Sequence, residues 1–342
     1  MILVATTSSA NAEKIELVGS EPIEWAGTDS TQKYVTEGGE GYTYFYDGYY
    51  NIFSIDVSDP TNPNQIGNIN LGGSPGLERR IARSGAYLYV PRSGFGNPQM
   101  NIVEVSNPDS PTLVTSSNAK TVRNCVVEGN YLYTSGDGNI NVFDISLPSS
   151  PILTWSSPVP PTWNAFDIAV NSGYVYVVGE GPGNPLSIVD TNSKTIDSIS
   201  LDAYANRALI SEDLLYVNDR NSHLNIFNIS SPMSPLLIST YTTLSQPPSA
   251  MAITGDKLFL ASIWGQLEGI DISDPFNPIQ FDVYDGLETW DIYGRNNYIY
   301  AATNDGLKIF TTTSDTIVPE PATMFLLPLG LAGFRFFRRK KR

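Results

Sequence analysis

The sequence predicts an all-β fold, a seven-bladed β-propeller of four-stranded blades, and two repeated phrases carry that expectation. The first is an apolar run that ends in an acid and a proline-punctuated turn. Its fullest copy is Ile52-Phe53-Ser54-Ile55-Asp56-Val57-Ser58-Asp59-Pro60-Thr61-Asn62-Pro63, and further copies open at Met100, Ile140, Leu186, Leu224, Leu267 and Leu307. The acidic slot falls at Asp56, Glu104, Asp144, Asp190, Asn228, Asp271 and Thr311, in steps of 48, 40, 46, 38, 43 and 40 residues. A strand-built unit of that length is a propeller unit and not a helical solenoid repeat. The second phrase precedes each copy and alternates aromatic with branched residues, as in Tyr42-Thr43-Tyr44-Phe45, Tyr87-Leu88-Tyr89-Val90, Tyr174-Val175-Tyr176-Val177 and Tyr298-Ile299-Tyr300-Ala301. That composition favours strands.

Each unit opens on a short apolar run, such as Ile81-Ala82, Cys125-Val126-Val127, Ile168-Ala169-Val170 or Met251-Ala252-Ile253. A small polar turn follows, such as Ser84-Gly85, Gly129-Asn130 or Ser172-Gly173, and leads into the aromatic strand. The third strand has apolar residues on both sides of its acid and usually two places before it. Simple alternation would leave one wet face. This denser filling predicts a strand covered on both faces, as stacked blades require. A Ser-Asp-Pro or Ser-Asn-Pro turn then stops the strand. The short polar side chain bonds nearby backbone N–H groups, while proline fixes φ and removes a donor. A fourth run, such as Gln65-Ile66-Gly67 or Leu236-Leu237-Ile238, completes the sheet. Because the acid recurs in most units, it is expected to hold turn backbone and not to catalyse. The seventh unit has no fourth strand of its own. Ile15-Glu16-Leu17-Val18 is predicted to supply it, pairing with Leu307–Phe310 and closing edges that would otherwise stay open.

The Ile/Val-Asp-Val/Ile-Ser-Asp-Pro-x-x-Pro phrase resembles the LVIVD repeat, a bacterial β-propeller repeat of surface and secreted proteins. The resemblance spans Ile15 to Thr311; copy four lacks the proline pair, and copy seven ends after its third strand. It implies the fold more firmly than any activity. The resulting organisation is a signal-peptide remnant over 1–12, a propeller over 13–311, a linker over 312–317 and a terminal segment over 318–342. The remnant is read from Ala10-Asn11-Ala12, a small-x-small cleavage pattern whose charged start would lie upstream.

The terminal segment joins Val318-Pro319-Glu320-Pro321, an apolar run of 13 residues (322–334), and a basic end of Arg335, Arg338, Arg339, Lys340, Lys341 and Arg342. Motif, order and position resemble the PEP-CTERM sorting signal. The resemblance implies a hydrophobic sorting helix and a precursor in the inner membrane of a Gram-negative bacterium. It also implies processing near Pro319–Pro321 by an exosortase-type enzyme and a destination at the cell surface or extracellular matrix. The basic cluster would stay cytoplasmic, leaving the propeller on the far side. The apolar run is shorter than the roughly 20 residues that span a bilayer.

Formal net charge is −15, and −21 without the six basic residues of the tail, which argues against nucleic acid as a partner. The single cysteine, Cys125, excludes an internal disulfide framework and a multi-cysteine metal site. The loops at 92–98, 158–163 and 179–185 lack phosphate-cradle spacing, and no Asp-x-Asp-x-Asp-Gly loop occurs. No metal or cofactor is predicted.

Aligning the first strands places polar residues in one register: Arg79 and Arg80, Arg123 and Asn124, Asp167, Asn206 and Arg207, Trp290 and Asp291. First strands line a propeller's channel, so these residues should ring its mouth. One reading is a pocket for an acidic exopolysaccharide with Trp290 as a stacking wall, in which Arg123→Ala or Arg207→Ala would weaken binding and spare the melting temperature. The other is a set of ion pairs between these arginines and Asp167 or Asp291. At the level of function, the same register suits a non-enzymatic surface module that binds exopolysaccharide or another surface protein. The alternative is an extracellular hydrolase or lyase with its site at the mouth, disfavoured by the chain's single histidine. That histidine, His223, lies beside Ser222, but adjacent residues point different ways, so a loop histidine is the reading. Cys125 is read as a packed core thiol.

Overall fold

In the computed structural model every unit folds into one antiparallel four-stranded sheet, seven in all. The described residues are 13–23, 32–39, 41–48, 51–72, 80–91, 100–117, 122–136, 138–159, 164–244 and 248–314. The expected C-terminal sorting helix, the expected signal remnant and the segment 315–317 lie outside them. The first strands are Tyr34–Glu37, Ala82–Ser84, Asn124–Glu128, Asn164–Asn171, Ala205–Ser211, Ala250–Thr254 and Thr289–Arg295. Each touches the first strand of the next blade, and that of blade seven touches that of blade one, so the ring is closed.

Third strands are buried on both faces, as their dense apolar filling requires: Ile140, Asn141, Val142 and Phe143 are all buried in blade three. Fourth strands face solvent, with Ile152 65% exposed in the same blade. Among the described residues there are seven apolar clusters, one between each pair of adjacent blades. Ala169, Tyr176 and Ile188 of blade four, for example, pack against Ala208, Val217 and Phe227 of blade five. Among the described residues no blade has a private core, so no blade hides its apolar surface without neighbours.

The repeated acid does what its repetition implies. Asp56 accepts a hydrogen bond from the Ser58 amide (2.9 Å), Asp144 from Ser146 (2.8 Å), Asn228 from Ser230 (2.9 Å) and Asp271 from Ser273 (2.9 Å). The following turn closes on itself, with Asn62 N donating to Asp59 O at 3.0 Å and Asn277 N to Asp274 O at 3.0 Å. Three of the turns are also gripped from next door. The second-strand tyrosine of one blade donates its hydroxyl to a turn carbonyl of the next: Tyr44 to Val105 (3.4 Å), Tyr89 to Pro148 (3.3 Å) and Tyr176 to Pro232 (3.2 Å). In these blades the two sequence phrases are two halves of one inter-blade contact.

Ring closure follows the predicted stitch. Glu13–Pro22 pairs with Gly306–Ser314, with Leu17 opposite Phe310 and Ile15 opposite Thr312. A bulge falls between Leu17 and Gly19, where a Cβ on Gly19 would sit 2.0 Å from the Pro60 carbonyl oxygen of blade one. The third strand of blade seven runs to Ser314, past the expected boundary at Thr311. Thr312, Thr313 and Ser314 look like linker by polarity, but each finds a partner in the N-terminal strand. Backbone pairing at a sheet edge does not ask for apolar side chains. Glu13 and Ser314 thus face each other at one end of the wheel, the end that carries the Asp-Pro turns. The polar first-strand register lies at the opposite end, because Thr289 pairs with Thr303 and Thr303 with Gly306, whose partner is Pro22.

Candidate functional site: the channel mouth

The first strands deliver the aligned polar residues to one end of the channel, and the structure pairs four of them. Arg80 Nη2 lies 3.3 Å from Asp167 Oδ2, and Arg207 Nη2 lies 3.9 Å from Asp291 Oδ1. Each acid also accepts a backbone N–H from the following blade: Asp167 from Ala208 (3.1 Å) and Asp291 from Val35 (3.3 Å). Arg207 Nε donates to Ser249 O at 2.5 Å, which ties blade five to blade six. Asn124 Nδ2 donates to Phe166 O at 2.9 Å, tying blade three to blade four. These are bonds that run around and across the ring. They leave Asp167 fully buried and Arg207 only 5% exposed.

Burial pushes the Asp291 carboxyl up to about 6, against the pull of Arg207 and Arg80 and of the Val35 amide. Arg80 is held above its ordinary value: burial acts to lower it, and the carboxylates of Asp167 and Asp291 outweigh that. A cavity of about 330 Å³ reaches Arg80 and Asp291, and its wall is mainly apolar, with Ile81, Leu209, Met251 and Ile292 among its residues. The ion pairs therefore border an apolar cavity.

The remaining aligned residues lie at the rim. Arg123 and Asn206 are half-buried, and Asn206 Oδ1 accepts from Arg220 Nε at 3.3 Å. Trp290 is half-buried and donates its indole N–H to Asn304 Oδ1 at 3.1 Å. Arg79 lies outside the described residues, as do Val318, Pro319, Glu320, Pro321, Arg335, Arg338, Arg339, Lys340, Lys341 and Arg342. The pairing changes one expectation. Arg207 is buried and bridges two blades, so its removal would disturb folding and it cannot serve as a stability-neutral probe of binding.

Sequence alignment missed several rim residues because they come from inter-blade and hairpin connections, outside the first-strand register. Lys33 Nζ donates to Asn304 Oδ1 at 3.0 Å and lies 6.0 Å from the Trp290 ring centre. The Arg220 guanidinium stands 4.8 Å over the Tyr204 ring, which packs at 6.0 Å against Phe166. Trp264, in the hairpin between the middle strands of blade six, is 71% exposed at this same end. An exposed tryptophan in a hairpin carries a signal by residue type alone, since such rings are usually covered.

His223 opens the third strand of blade five. Its Nδ1 lies 3.3 Å from Asp219 Oδ2, and Asp219 also accepts the His223 and Asn221 amides at 3.0 and 2.9 Å. That is a hairpin tie. Cys125 is fully buried in the cluster between blades two and three, and burial pushes its thiol up to about 12, so it is an inert core residue.

Comparison with known proteins agrees with this geometry. The LVIVD repeat matches residues 39–70, 75–119, 119–157, 164–195, 203–243 and 249–285, well over half of the chain. The PEP-CTERM protein-sorting motif matches residues 318–342. No curated protein matches the chain. Among solved structures the WD40 repeats of RRP9 are similar at a TM-score of 0.68 and 11% identity, over 87% of this chain and 100% of that one. BamB from Moraxella catarrhalis is similar at 0.55 and 13%, over 82% and 81% of the two chains. The computationally designed Ika8 protein is similar at 0.58 and 9%, over 86% and 100%. At such identities these likenesses concern the fold alone. A propeller of this repeat ending in a PEP-CTERM signal is an exported surface protein, recognised by a membrane-associated sorting system of the exosortase type. Repeat sequence, blade register and the stitched seventh blade converge on one assignment: this chain belongs to the LVIVD repeat family.

Proposed function

We propose that the protein is a non-catalytic binding module of the cell surface whose channel mouth takes an acidic exopolysaccharide. The observation that supports this most is the placement of the ends. Glu13 and Ser314 leave from the turn end, opposite the mouth. A tether at the C-terminus would therefore hold the mouth away from the membrane, toward the matrix. In this reading the envelope is that of a Gram-negative bacterium, and an exosortase-type enzyme cuts near Pro319–Pro321.

The ligand contacts in this reading come from the rim. Arg80 (side chain 23% exposed) and Arg123 supply positive charge to an otherwise acidic protein, while Trp264 and Trp290 offer ring faces to sugar. Asp167, Arg207 and Asp291 form the floor and position the rim. Tyrosine, tryptophan and arginine commonly carry most of the energy in such contacts. The test measures binding of the full chain to polyglucuronate. Arg123→Ala and Trp264→Ala should each weaken binding about fivefold to tenfold, with melting temperatures close to the parent. Unchanged binding in both would remove the mouth as the site.

A further inference from the structure

Blade seven breaks the repeat at two positions, and both line a cleft on the turn face, between blades seven and one. Opposite the second-strand aromatic, the first strand carries Thr36, Ala82, Val126, Ala169, Leu209 and Ala252 in blades one to six. In blade seven it carries Tyr293, opposite Tyr300. Two places on, Ser84, Glu128, Asn171, Ser211 and Thr254 give way to Arg295, opposite Tyr298. Repeats are held alike by the packing that all blades share, so a departure that adds two large polar side chains to one blade calls for a local cause.

The two residues build a shaped wall. The Tyr293 and Tyr300 rings stack with centres 4.6 Å apart and planes 6° apart. Arg295 Nη1 lies 3.2 Å from Glu37 Oε1 and also donates to the Gly39 carbonyl, so its guanidinium is fixed across the blade junction. The adjoining Asn296 and Asn297 both hold left-handed backbone, at φ 50° and 65°, where other blades use at least one glycine or none of these amides. The cleft has a volume of about 450 Å³ and is walled by Tyr42, Tyr298, Ser58 and Asn296 around the stacked pair. That volume falls in the small-molecule range of about 300–1,000 Å³. Tyr42 and Tyr298 are partly exposed, and Ser58 and Asn296 are exposed.

We propose that this cleft is a binding subsite for a neutral pyranose unit. Tyrosine offers a flat apolar face to the C–H side of a sugar ring and a hydroxyl to its edge, at little cost in lost rotamers. The amide of Asn296 and the hydroxyl of Ser58 suit a ligand dense in hydroxyl groups. The Arg295 charge is already met by Glu37, so the cleft selects a neutral sugar over the acidic one proposed for the mouth. The two sites lie at opposite ends of the wheel and stand or fall separately.

The test is saturation-transfer difference NMR on the full chain in mild detergent. The probes are methyl glucoside, methyl galactoside and methyl mannoside, with glucuronate and a proline-rich hexapeptide alongside. At least one neutral glycoside should bind. Tyr298→Ala should weaken it about tenfold, and Tyr298→Phe, which keeps the ring, by no more than about threefold. Ser58→Trp, an exposed-site change that fills the cleft without touching the core, should abolish it. Trp264→Ala, at the mouth, should leave it unchanged. The proposal is overturned if no neutral glycoside binds, if only the peptide or glucuronate binds, if Ser58→Trp binds as the parent does, or if Trp264→Ala removes the signal.

Discussion

The two ends of the wheel use aspartate in opposite ways. At the turn end the acid recurs from blade to blade, is half-buried, and accepts bonds from its own turn. Those bonds lower the pKa: the Ser146 hydroxyl and amide at Asp144, the Ser193 hydroxyl at Asp190, the Ser273 hydroxyl and amide at Asp271, and the Thr61 hydroxyl and amide at Asp59. At the mouth the acids occur in single blades, are buried and reach other blades. Burial raises Asp291 to about 6. The difference separates two kinds of stability. The turn acids finish each blade, a local job that every blade must do. The mouth acids lock non-adjacent blades together, Arg80 of blade two to Asp167 of blade four and Arg207 of blade five to Asp291 of blade seven, which only a closed ring requires.

The largest effect is expected from Arg207→Ala. It leaves Asp291 buried beside a lost partner, and breaking a buried pair from one side costs about 3–5 kcal/mol. Urea unfolding of the parent and the variant measures it. A loss below about 1 kcal/mol would place Arg207 with exposed ion pairs and erase the contrast between the two ends.

Acidity should sharpen the contrast next. The folded pKa of Asp291, about 6, stands above its unfolded value of 3.8, so the folded state holds this proton more tightly. Its contribution to stability therefore rises as pH falls from about 6 toward 4. The turn acids run the other way. Their pKa values are lowered on folding, so their contribution is present above 3.8 and is lost as pH falls below it. Melting temperature plotted against pH should climb from pH 7 to 5 and drop below 4. Asp291→Asn should flatten the upper limb and leave the lower one. A parent without the upper limb would mean that Arg80 and Arg207 keep Asp291 ionised throughout.

Tyr176→Phe removes one hydroxyl that grips the neighbouring Pro232 carbonyl. The loss should be about 1 kcal/mol by equilibrium unfolding, the usual net value of one such bond. A neutral result would reduce the tyrosine of the second phrase to packing alone. The smallest effect belongs to Asp144→Asn, since Asn228 already fills that slot in blade five and accepts the same amide bond from Ser230. Its melting temperature at pH 7 should barely move, and it should lose part of the acid limb. A large drop at pH 7 would show that charge, and not hydrogen bonding, holds the turns.

Much of this was legible in the residues. The acid spacing and the two strand phrases yielded seven blades, and the missing fourth strand in the last unit led to Ile15–Val18. The role of the repeated acid followed from its repetition. The candidate site was legible only as a register. Alignment put Arg80, Asp167, Arg207 and Asp291 at one end, but nothing local decides whether an arginine faces a ligand or an acid two blades away. Trp264, Lys33 and Arg220 escaped because connections vary from blade to blade and carry no period. Tyr293 and Arg295 escaped because they depart from the repeat and so carry no period. Thr312–Ser314 looked like linker because strand pairing at an edge depends on a distant partner.

The sequence by itself determined the blade, its number and the way the last one is finished, because those depend on periodicity, turn chemistry and strand propensity within about forty residues. The tertiary structure decided which charged side chains meet. Closing seven sheets into a wheel brings residues some 90 positions apart within bonding distance at the axis, as with Arg80 and Asp167. Charge pairing acts through space, and only the closed ring sets those distances.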